Sequence, residues 1–162
     1  MKKSILAVIL LSIITAFGCQ NSSGQTKKMD PKRKMSKTPA AWKKTLTANQ
    51  YEIMVESGTE APYHNAYWNN HEKGVYVSAA TGEVLFRSED KFDSGTGWPS
   101  FVKAVDAKKV EVVQDNTLGM TRDEVIERST GLHLGHVFDD GPADRGGKRF
   151  CMNSGALKFI KK

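Results

Sequence analysis

One cysteine close to the C-terminus has the surroundings of a nucleophile. Cys151 lies within residues 149–154, and it is the only cysteine that remains if Cys19 belongs to an N-terminal leader. The reactive form of a cysteine is the thiolate, which a neighbouring cation such as Arg149 stabilises. Taken alone, the stretch is equally compatible with a small buried side chain, because free cysteine is among the most buried residue types.

Alternation along an extended chain predicts which groups share a face with this thiol. Residues i and i+2 of a strand point to the same side, so Arg149, Cys151 and Asn153 would form one row. A cation, a nucleophile and an amide donor would then face a single pocket. That combination suits attack on a polarised centre that bears an oxygen better than it suits a core.

Two further motifs could complete such a pocket. Residues 95–101, Gly-Thr-Gly-Trp-Pro-Ser-Phe, form a glycine-rich bend in which Trp98 is either a core residue or a rigid apolar wall for a ligand. His133 and His136 could carry protons or donate hydrogen bonds. They could also bind a metal, but a tetrahedral site needs two more ligands, and the other two histidines lie far upstream without matching spacing.

The N-terminus predicts export from the cytosol. Residues 1–18 combine a basic start with an apolar run and read as a signal peptide. The residues before Cys19 resemble a bacterial lipoprotein signal, which makes Cys19 the predicted lipidation site; a plain secretory signal is the alternative. Residues 19–37 predict a flexible basic linker. We therefore expect a lipid anchor in the membrane of the bacterial cell envelope.

The positive charge of the chain belongs to this N-terminal part. The formal net charge is +6. Residues 45–162 contain 14 lysines and arginines against 17 acidic residues, a net charge of −3. Because the folded part is mildly acidic, a nucleic-acid partner is not expected.

Turn and capping signals predict one mainly β domain over residues 38–162. Thr38-Pro39 and the capping box from Thr47 to Gln50 predict two short helices, roughly 39–45 and 48–57. Short β-prone runs separated by turn signals follow: residues 75–77, 84–86, 110–113, 124–126 and 156–160. These runs favour an antiparallel β fold with a small helical cover.

Four blocks of the sequence resemble one enzyme family. The blocks are GTEAPYHNAYWNNHEKGVYV, KFDSGTGWPSF, HLGHVFDDGP and GGKRFCMNSGALKFI. In this order they resemble the B-type methionine sulfoxide reductases, over essentially the whole domain. The resemblance implies two antiparallel β-sheets in a barrel-like arrangement, with short N-terminal helices. It also implies reduction of the R epimer of methionine sulfoxide in proteins or peptides.

The resemblance further implies a role for each pocket residue. Cys151 would attack the sulfoxide sulfur and be left as a sulfenic acid. Trp98 would contact the ε-methyl group of the substrate, and Arg149 would keep the thiol ionised. The remaining matched positions would bind the sulfoxide oxygen and help to protonate it, partly through water: His133, His136 and Asn153.

Two departures from the family pattern change what is expected. Many relatives bind a structural zinc through two C-x-x-C pairs, and the corresponding positions here are Ser78, Thr81, Glu127 and Thr130. None is a thiolate, so we expect neither a zinc site nor any other cofactor. The second departure is Thr96, which stands where many relatives have a resolving cysteine.

Without a resolving cysteine, the sequence predicts a one-cysteine enzyme. Its sulfenic acid would be reduced by an outside thiol, either a thioredoxin-like protein or a low-molecular-weight thiol. One alternative is a module on the same fold that binds oxidised methionine without turnover. Another is a structural domain that binds a metal through His133 and His136.

Overall fold

The computed structural model describes residues 29–162. The predicted signal peptide, the predicted lipidation site Cys19 and the first part of the predicted linker lie outside these residues. Within them the chain forms two short helices followed by nine strands, and none of the helices is long and apolar enough to cross a membrane. The bounds are α1 Pro39–Lys43, α2 Ala48–Met54, β1 Gly74–Ser78, β2 Val84–Arg87, β3 Lys91–Phe92, β4 Ser100–Phe101, β5 Val110–Asp115, β6 Arg122–Glu127, β7 His133–Phe138, β8 Arg149–Met152 and β9 Leu157–Lys161.

Both helices begin at the predicted caps. The Thr38 hydroxyl accepts a hydrogen bond from a backbone N–H in the first turn of α1. Thr47 and Gln50 form a reciprocal capping box at the start of α2, which satisfies two backbone donors that would otherwise lack partners. The α2 helix ends at Met54, and Ser57 then adopts a positive φ of 55°. The prediction of short N-terminal helices is confirmed.

The strands form two antiparallel sheets, as predicted. The first has three strands in the order β2-β1-β9, and the second has six in the order β3-β4-β8-β7-β6-β5. In the larger sheet the outer strands β3 and β5 do not pair with each other, so the sheets are not closed into a barrel. The expected barrel-like closure is therefore not seen, although the mainly β class is confirmed.

An aromatic cluster joins the two sheets and fixes the position of β4. Phe86 of β2 stacks on Phe101 of β4, with ring centroids 4.5 Å apart, and Tyr76 of β1 meets the same Phe101 ring edge-on at 5.0 Å. All three side chains are fully buried. Such pairs contribute about 0.5–1.5 kcal/mol each beyond their burial. The neighbour of Phe101 in β4 is Ser100, which lies beside the cysteine described below.

The chain before α1 lies against the larger sheet. Arg33 donates a hydrogen bond to Glu111 of β5 at 2.9 Å and another to the Arg128 carbonyl at 3.0 Å. The Met35 N–H donates to the Ser129 carbonyl at 2.8 Å. Residues 29–37 belong to the predicted linker, so part of that segment contacts the domain; the boundary at residue 38 stays a prediction.

Candidate active site

Cys151 lies between two strands that present polar side chains on either side of it. In β8 it pairs with Ser100 of β4 and with His136 of β7. Directly opposed side chains in an antiparallel sheet have Cβ atoms about 4.5–5.5 Å apart. Gly135 permits this approach, because a Cβ there would collide with the Cys151 carbonyl oxygen. The thiol is partly exposed, so a substrate can reach it.

A β-bulge brings the two predicted histidines to the same face of the sheet. In a regular strand, residues three apart point to opposite faces. The register between β6 and β7 shifts between Val125 and Ile126, and a bulge of this kind re-aims side chains. The rings of His133 and His136 consequently lie with centroids 5.3 Å apart.

His133 is buried between a carboxylate and the predicted substrate-binding amide. Its Nδ1 lies 2.8 Å from Glu124 Oε1, and its Nε2 lies 3.4 Å from Asn153 Nδ2. The His133 side chain is only 1% exposed. Asn153 itself lies just after β8, which ends at Met152. Its backbone remains extended, and its N–H donates to the Leu134 carbonyl of β7 at 2.9 Å. The predicted proximity of Asn153 to the pocket is therefore seen.

His136 contacts a different carboxylate. Its Nε2 lies 3.0 Å from Asp115 Oδ2 at the end of β5, and the same oxygen accepts a hydrogen bond from Arg122 at 2.7 Å. Burial lowers the pKa of His136, and the hydrogen bond to Asp115 works in the opposite direction. The ring is consequently neutral at neutral pH, with a carboxylate placed to stabilise its charged form.

The environment of Cys151 contains opposing influences on its ionisation. Burial raises the pKa of the thiol above its ordinary value. The positive charge of Arg149 and hydrogen bonds from the Thr96 and Ser100 hydroxyls lower that pKa, but they do not outweigh burial. The thiol is therefore mainly protonated at neutral pH, and its ionisation depends on these neighbours.

The Ser94 hydroxyl links the two hydroxyls that act on the thiol. The Ser94 hydroxyl lies 2.8 Å from that of Thr96 and 2.7 Å from that of Ser100. Thr96, at the position of the resolving cysteine in many relatives, thus belongs to a hydrogen-bonded cluster beside Cys151.

Arg149 is held in place by two interactions. Its guanidinium donates two hydrogen bonds of 2.8 Å to the carboxylate of Asp140. It also lies over the ring of Phe138, 4.3 Å from the centroid. Bidentate pairing and stacking fix the orientation of an arginine, so its charge acts on Cys151 from a defined position.

Trp98 and Asn153 are both tied to Glu60. The Trp98 indole N–H donates to the Glu60 carbonyl at 3.0 Å, and the Glu60 N–H donates to Asn153 Oδ1 at 3.2 Å. The Glu60 carboxylate also accepts from the backbone N–H groups of Ser154 and Gly155. Burial raises the pKa of Glu60, opposed by those same backbone hydrogen bonds. One loop thereby sets the positions of two predicted substrate-binding residues.

The four positions at which many relatives bind zinc also come together here. Glu127 is fully buried, and its carboxylate accepts hydrogen bonds from the Thr81 hydroxyl and, at 2.7 Å, from the Thr130 hydroxyl. The Ser78 hydroxyl accepts from two backbone N–H groups in the following turn. In residues 29–162 no group of three or more histidine, cysteine or acidic side chains is arranged to hold a metal.

Comparison with known proteins establishes the family to which this chain belongs. The SelR domain model matches residues 46–161. The peptide methionine sulfoxide reductase MsrB of Staphylococcus haemolyticus is 48% identical over 118 residues, which cover 73% of this chain and 83% of that protein. MsrB of Staphylococcus saprophyticus subsp. saprophyticus matches with the same identity and coverage. This chain belongs to the SelR family of B-type methionine sulfoxide reductases.

The family assignment confirms the resemblance predicted from the four sequence blocks, and the protein is an oxidoreductase. All six predicted pocket residues of this reductase lie in one region around Cys151, with the geometry described above. The two upstream histidines do not join them. His64 contacts the Pro62 carbonyl and His71 contacts Asn69, both at exposed positions.

Several polar residues of the reductase pocket were not predicted from the sequence. They are Glu60, Ser94, Ser100, Asp115 and Glu124. Glu60 and the two serines lie inside the family-like blocks and could have been considered on that ground. Asp115 and Glu124 lie outside the blocks, and only the strand register places them behind the histidines.

Proposed function

We propose that this reductase converts methionine (R)-S-oxide in proteins or peptides to methionine, with Cys151 as the nucleophile. The observation that carries the proposal is the position of this partly exposed thiol in register with His136. Arg149 and two hydroxyls act on the same sulfur. Sulfoxide reduction needs nucleophilic attack on sulfur together with a proton at oxygen, and the proximity of a thiol and an imidazole supports the proposal.

In the proposed first half-reaction, Cys151 is oxidised and the substrate is reduced. The thiolate attacks the sulfoxide sulfur and forms a transient bond between the two sulfur atoms. This bond and the sulfur–oxygen bond of the substrate then break, and a new bond joins the oxygen to the sulfur of Cys151 as a sulfenic acid. Two electrons pass from the cysteine sulfur to the substrate sulfur, and methionine leaves. His133, His136 and Asn153 are the proposed partners of the oxygen, and Trp98 is the proposed wall for the ε-methyl group.

In the proposed second half-reaction, an external thiol reduces the sulfenic acid. Two thiol groups supply two electrons and two protons, and the products are a disulfide, water and the Cys151 thiol. Cys151 is the only cysteine in residues 29–162, and Thr96 has a hydroxyl where many relatives have the resolving thiol. A thioredoxin-like protein or a small thiol therefore serves as the proposed reductant.

We also propose that the fold is maintained without structural zinc. The donor set Ser78, Thr81, Glu127 and Thr130 contains no thiolate or imidazole, which are the ligands typical of structural zinc. The two threonine hydroxyls already donate to the Glu127 carboxylate, so hydrogen bonds link the segments that zinc links in many relatives.

The proposed location is the bacterial cell envelope. Residues 1–18 have the pattern of an export signal, and Cys19 is the proposed lipidated residue. The basic segment that follows would separate the anchor from the catalytic domain. Mass spectrometry of the mature protein tests this: a diacylglyceryl group on Cys19 supports the anchor, and an unmodified N-terminus after cleavage contradicts it.

Single-turnover assays on both epimers test the catalytic proposal. Without reductant, the protein should release about one methionine per Cys151 from the R epimer and none from the S epimer. Cys151→Ser should release none, whereas Cys19→Ser in the full chain should behave like the wild type. Binding without release would instead support a non-catalytic binding module.

Reductant assays separate the second half-reaction from the first. Dithiothreitol and thioredoxin should each convert the single turnover into repeated turnover. A disulfide between Cys151 and Cys19 in the mature protein would contradict the one-cysteine proposal, even if methionine is released.

A further inference from the structure

Asp115 contacts His136 although the two residues belong to strands that are not neighbours. Asp115 ends β5, the outer strand of the six-stranded sheet, and β6 separates it from β7. Its carboxylate reaches past β6 to lie 3.0 Å from His136 Nε2. Both side chains are only 11% exposed, so the contact is largely shielded from water.

Hydrogen bonds hold the Asp115 carboxylate in its ionised form. Oδ1 accepts from the backbone N–H of Thr117 at 2.9 Å and from its hydroxyl at 2.7 Å, and Oδ2 accepts from Arg122 at 2.7 Å. Burial by itself would raise the pKa of Asp115, but the bonds from Thr117, His136 and Arg122 bring it well below its ordinary value. An ionised carboxylate only accepts hydrogen bonds. His136 must therefore carry a proton on Nε2, which leaves Nδ1 as its second functional nitrogen.

His133 is held in the opposite arrangement. Asn153 Oδ1 accepts from the Glu60 N–H and Nδ2 donates to the Leu134 carbonyl, which fixes the orientation of the amide. The amide therefore presents an N–H to His133 Nε2 at 3.4 Å. Protonation of that nitrogen would place two N–H groups against each other. His133 Nε2 is thus placed to accept this hydrogen bond, and Nδ1 is placed to donate to Glu124.

We propose that Asp115 is a positioning residue that makes His136, rather than His133, the proton carrier of the reaction. It fixes the Nε2–H tautomer of His136 and stabilises the imidazolium, while Nδ1 exchanges the proton. The inference rests on the proposed function, because the proton is the one needed at the sulfoxide oxygen. In this proposal Asp115 acts on the reaction only through His136.

The proposed proton path balances without another reactant. His136 Nδ1 takes the proton of the Cys151 thiol, and the resulting thiolate attacks the sulfoxide sulfur. The sulfur–sulfur bond formed by this attack and the sulfur–oxygen bond of the substrate then break, and the oxygen is transferred to the sulfur of Cys151. The same proton returns from His136 to the oxygen. The products are methionine, the Cys151 sulfenic acid and neutral His136. A histidine that first accepts and then donates one proton, oriented by a buried carboxylate, is an established catalytic arrangement.

The charged groups around His136 explain why this carboxylate matters. Burial lowers the pKa of the ring, and His133 and Arg122 lower it further. Asp115 is the group whose interactions raise it. Glu124 pairs with His136 in the sheet register but directs one oxygen to His133. Loss of the Asp115 charge would therefore make the imidazolium harder to form.

Asp115→Asn tests this role, with Asp123→Asn as the matched control. Asp123 is an exposed aspartate of the same hairpin, so its replacement removes the same charge without touching His136. Asp115→Asn should slow single-turnover methionine release by about 10- to 100-fold. The acid limb of its pH–rate profile should move to lower pH, because His136 becomes harder to protonate. Asp123→Asn should match the wild type in both respects.

The wild-type protein provides a second test that needs no variant. Nitrogen-15 NMR of the imidazole rings should show His136 with its proton on Nε2 and His133 with its proton on Nδ1. Only four histidines occur in the chain, which makes assignment practical. A His136 ring protonated on Nδ1 overturns the inference, and this result decides it even if Asp115→Asn does not fold.

The outcomes also separate this inference from the proposed function. Unchanged rates in Asp115→Asn, or slower rates with an unshifted acid limb, overturn the positioning role. If the wild type releases no methionine from either epimer, the proposed function fails. In that case NMR still measures two properties without any turnover: which nitrogen of His136 carries the proton, and how the pKa of His136 changes in Asp115→Asn.

Discussion

At the scale of single residues, the reactivity of Cys151 depends on a balance between burial and a few polar contacts. Burial favours the neutral thiol, while Arg149, Thr96 and Ser100 favour the thiolate. A thiol with a raised pKa survives between turnovers because little thiolate is present at neutral pH. The same neighbours supply the stabilisation that the thiolate needs when substrate is bound.

Replacing Ser100 with alanine should raise the pKa of Cys151. The hydroxyl stabilises the thiolate, and a hydrogen bond to a charged group contributes about 1.5–3 kcal/mol, so a shift of about one pH unit is expected. The pH dependence of alkylation by iodoacetamide measures it directly. Ser129→Ala is a suitable control, because that hydroxyl contacts Glu83 instead. An unchanged alkylation profile for Ser100→Ala would show that its hydroxyl does not act on the thiol.

Residue identity and spacing were sufficient to predict the central groups of the pocket but not the groups behind them. Cys151, Trp98 and the histidines stand out by type and by the family-like blocks. Asp115 and Asn116 together are typical of a turn. Nothing in the local sequence shows that the side chain of Asp115 reaches across a strand. Such a contact depends on pairing register, which is a property of the folded sheet.

At the scale of elements, two irregular features shape the pocket. The bulge in β7 brings His133 and His136 to one face, where strand alternation would have separated them. The bend of residues 95–97 carries Trp98, and Gly97 within it has a φ of 87°. Both features depend on backbone geometry that periodicity rules do not predict, so the sequence identifies the residues but not their placement.

Gly97→Ala should weaken catalysis more than Gly95→Ala. Both glycines have positive φ, so alanine strains the backbone at each position. A Cβ at Gly97 would also lie 2.6 Å from the Tyr63 nitrogen, whereas at Gly95 nothing lies within 4 Å. The Gly97 variant should therefore displace the Trp98 loop and raise KM for the sulfoxide. Equal KM values in the two variants would contradict a role for this contact in holding the loop.

Glu127→Gln should remove one source of the pH dependence of the free energy of unfolding. Burial raises the folded-state pKa of Glu127, against hydrogen bonds from Thr81, Thr130 and Ser78. Protonation of Glu127 therefore stabilises the folded protein. This contribution is complete below the pKa that Glu127 has in the unfolded chain, and it is lost as the pH rises through the pKa that Glu127 has in the folded protein. Glutamine stays neutral throughout. The unfolding free energy of the variant relative to the wild type should therefore increase as the pH rises from below the ordinary glutamate pKa through the raised pKa of folded Glu127.

Urea denaturation at several pH values measures this difference. Glu52→Gln, at an exposed position of α2, is the matched control and should show a constant difference from the wild type. A constant difference for Glu127→Gln as well would mean that Glu127 is not protonated preferentially in the folded protein.

At the scale of the whole molecule, two sheets and an N-terminal segment form one supporting structure for the pocket. The mainly β class, the two antiparallel sheets and the capped helices were all predictable, because capping boxes and short β-prone runs are local signals. The lack of barrel closure was not predictable, since it depends on whether the outer strands meet. The contacts of Arg33 with β5 and with the Arg128 carbonyl were also missed, because a basic polar segment has no apolar pattern.

Chelation should leave the folded domain unchanged. Because the positions of the zinc ligands in many relatives are occupied by hydroxyls and one carboxylate, EDTA should alter neither the midpoint of thermal unfolding nor methionine release. Elemental analysis of the purified protein provides the direct check. Stoichiometric zinc, or a fall in the unfolding midpoint with EDTA, would contradict the proposed zinc-free fold.

The hydrogen-bonded cluster around Glu127 also bears on how the enzyme withstands its own working conditions. Zinc-binding thiolates are themselves targets of peroxide and hypochlorite, and their oxidation would release the metal and loosen the fold. Hydroxyl and carboxylate groups do not react in this way. Within residues 29–162 the only thiol exposed to such damage is Cys151, whose oxidation to the sulfenic acid is a step of the proposed cycle. Oxidants that create the substrate would therefore find no metal-binding thiolate among the four side chains of this cluster, and the thiol that they oxidise in the described residues is one that a reductant restores.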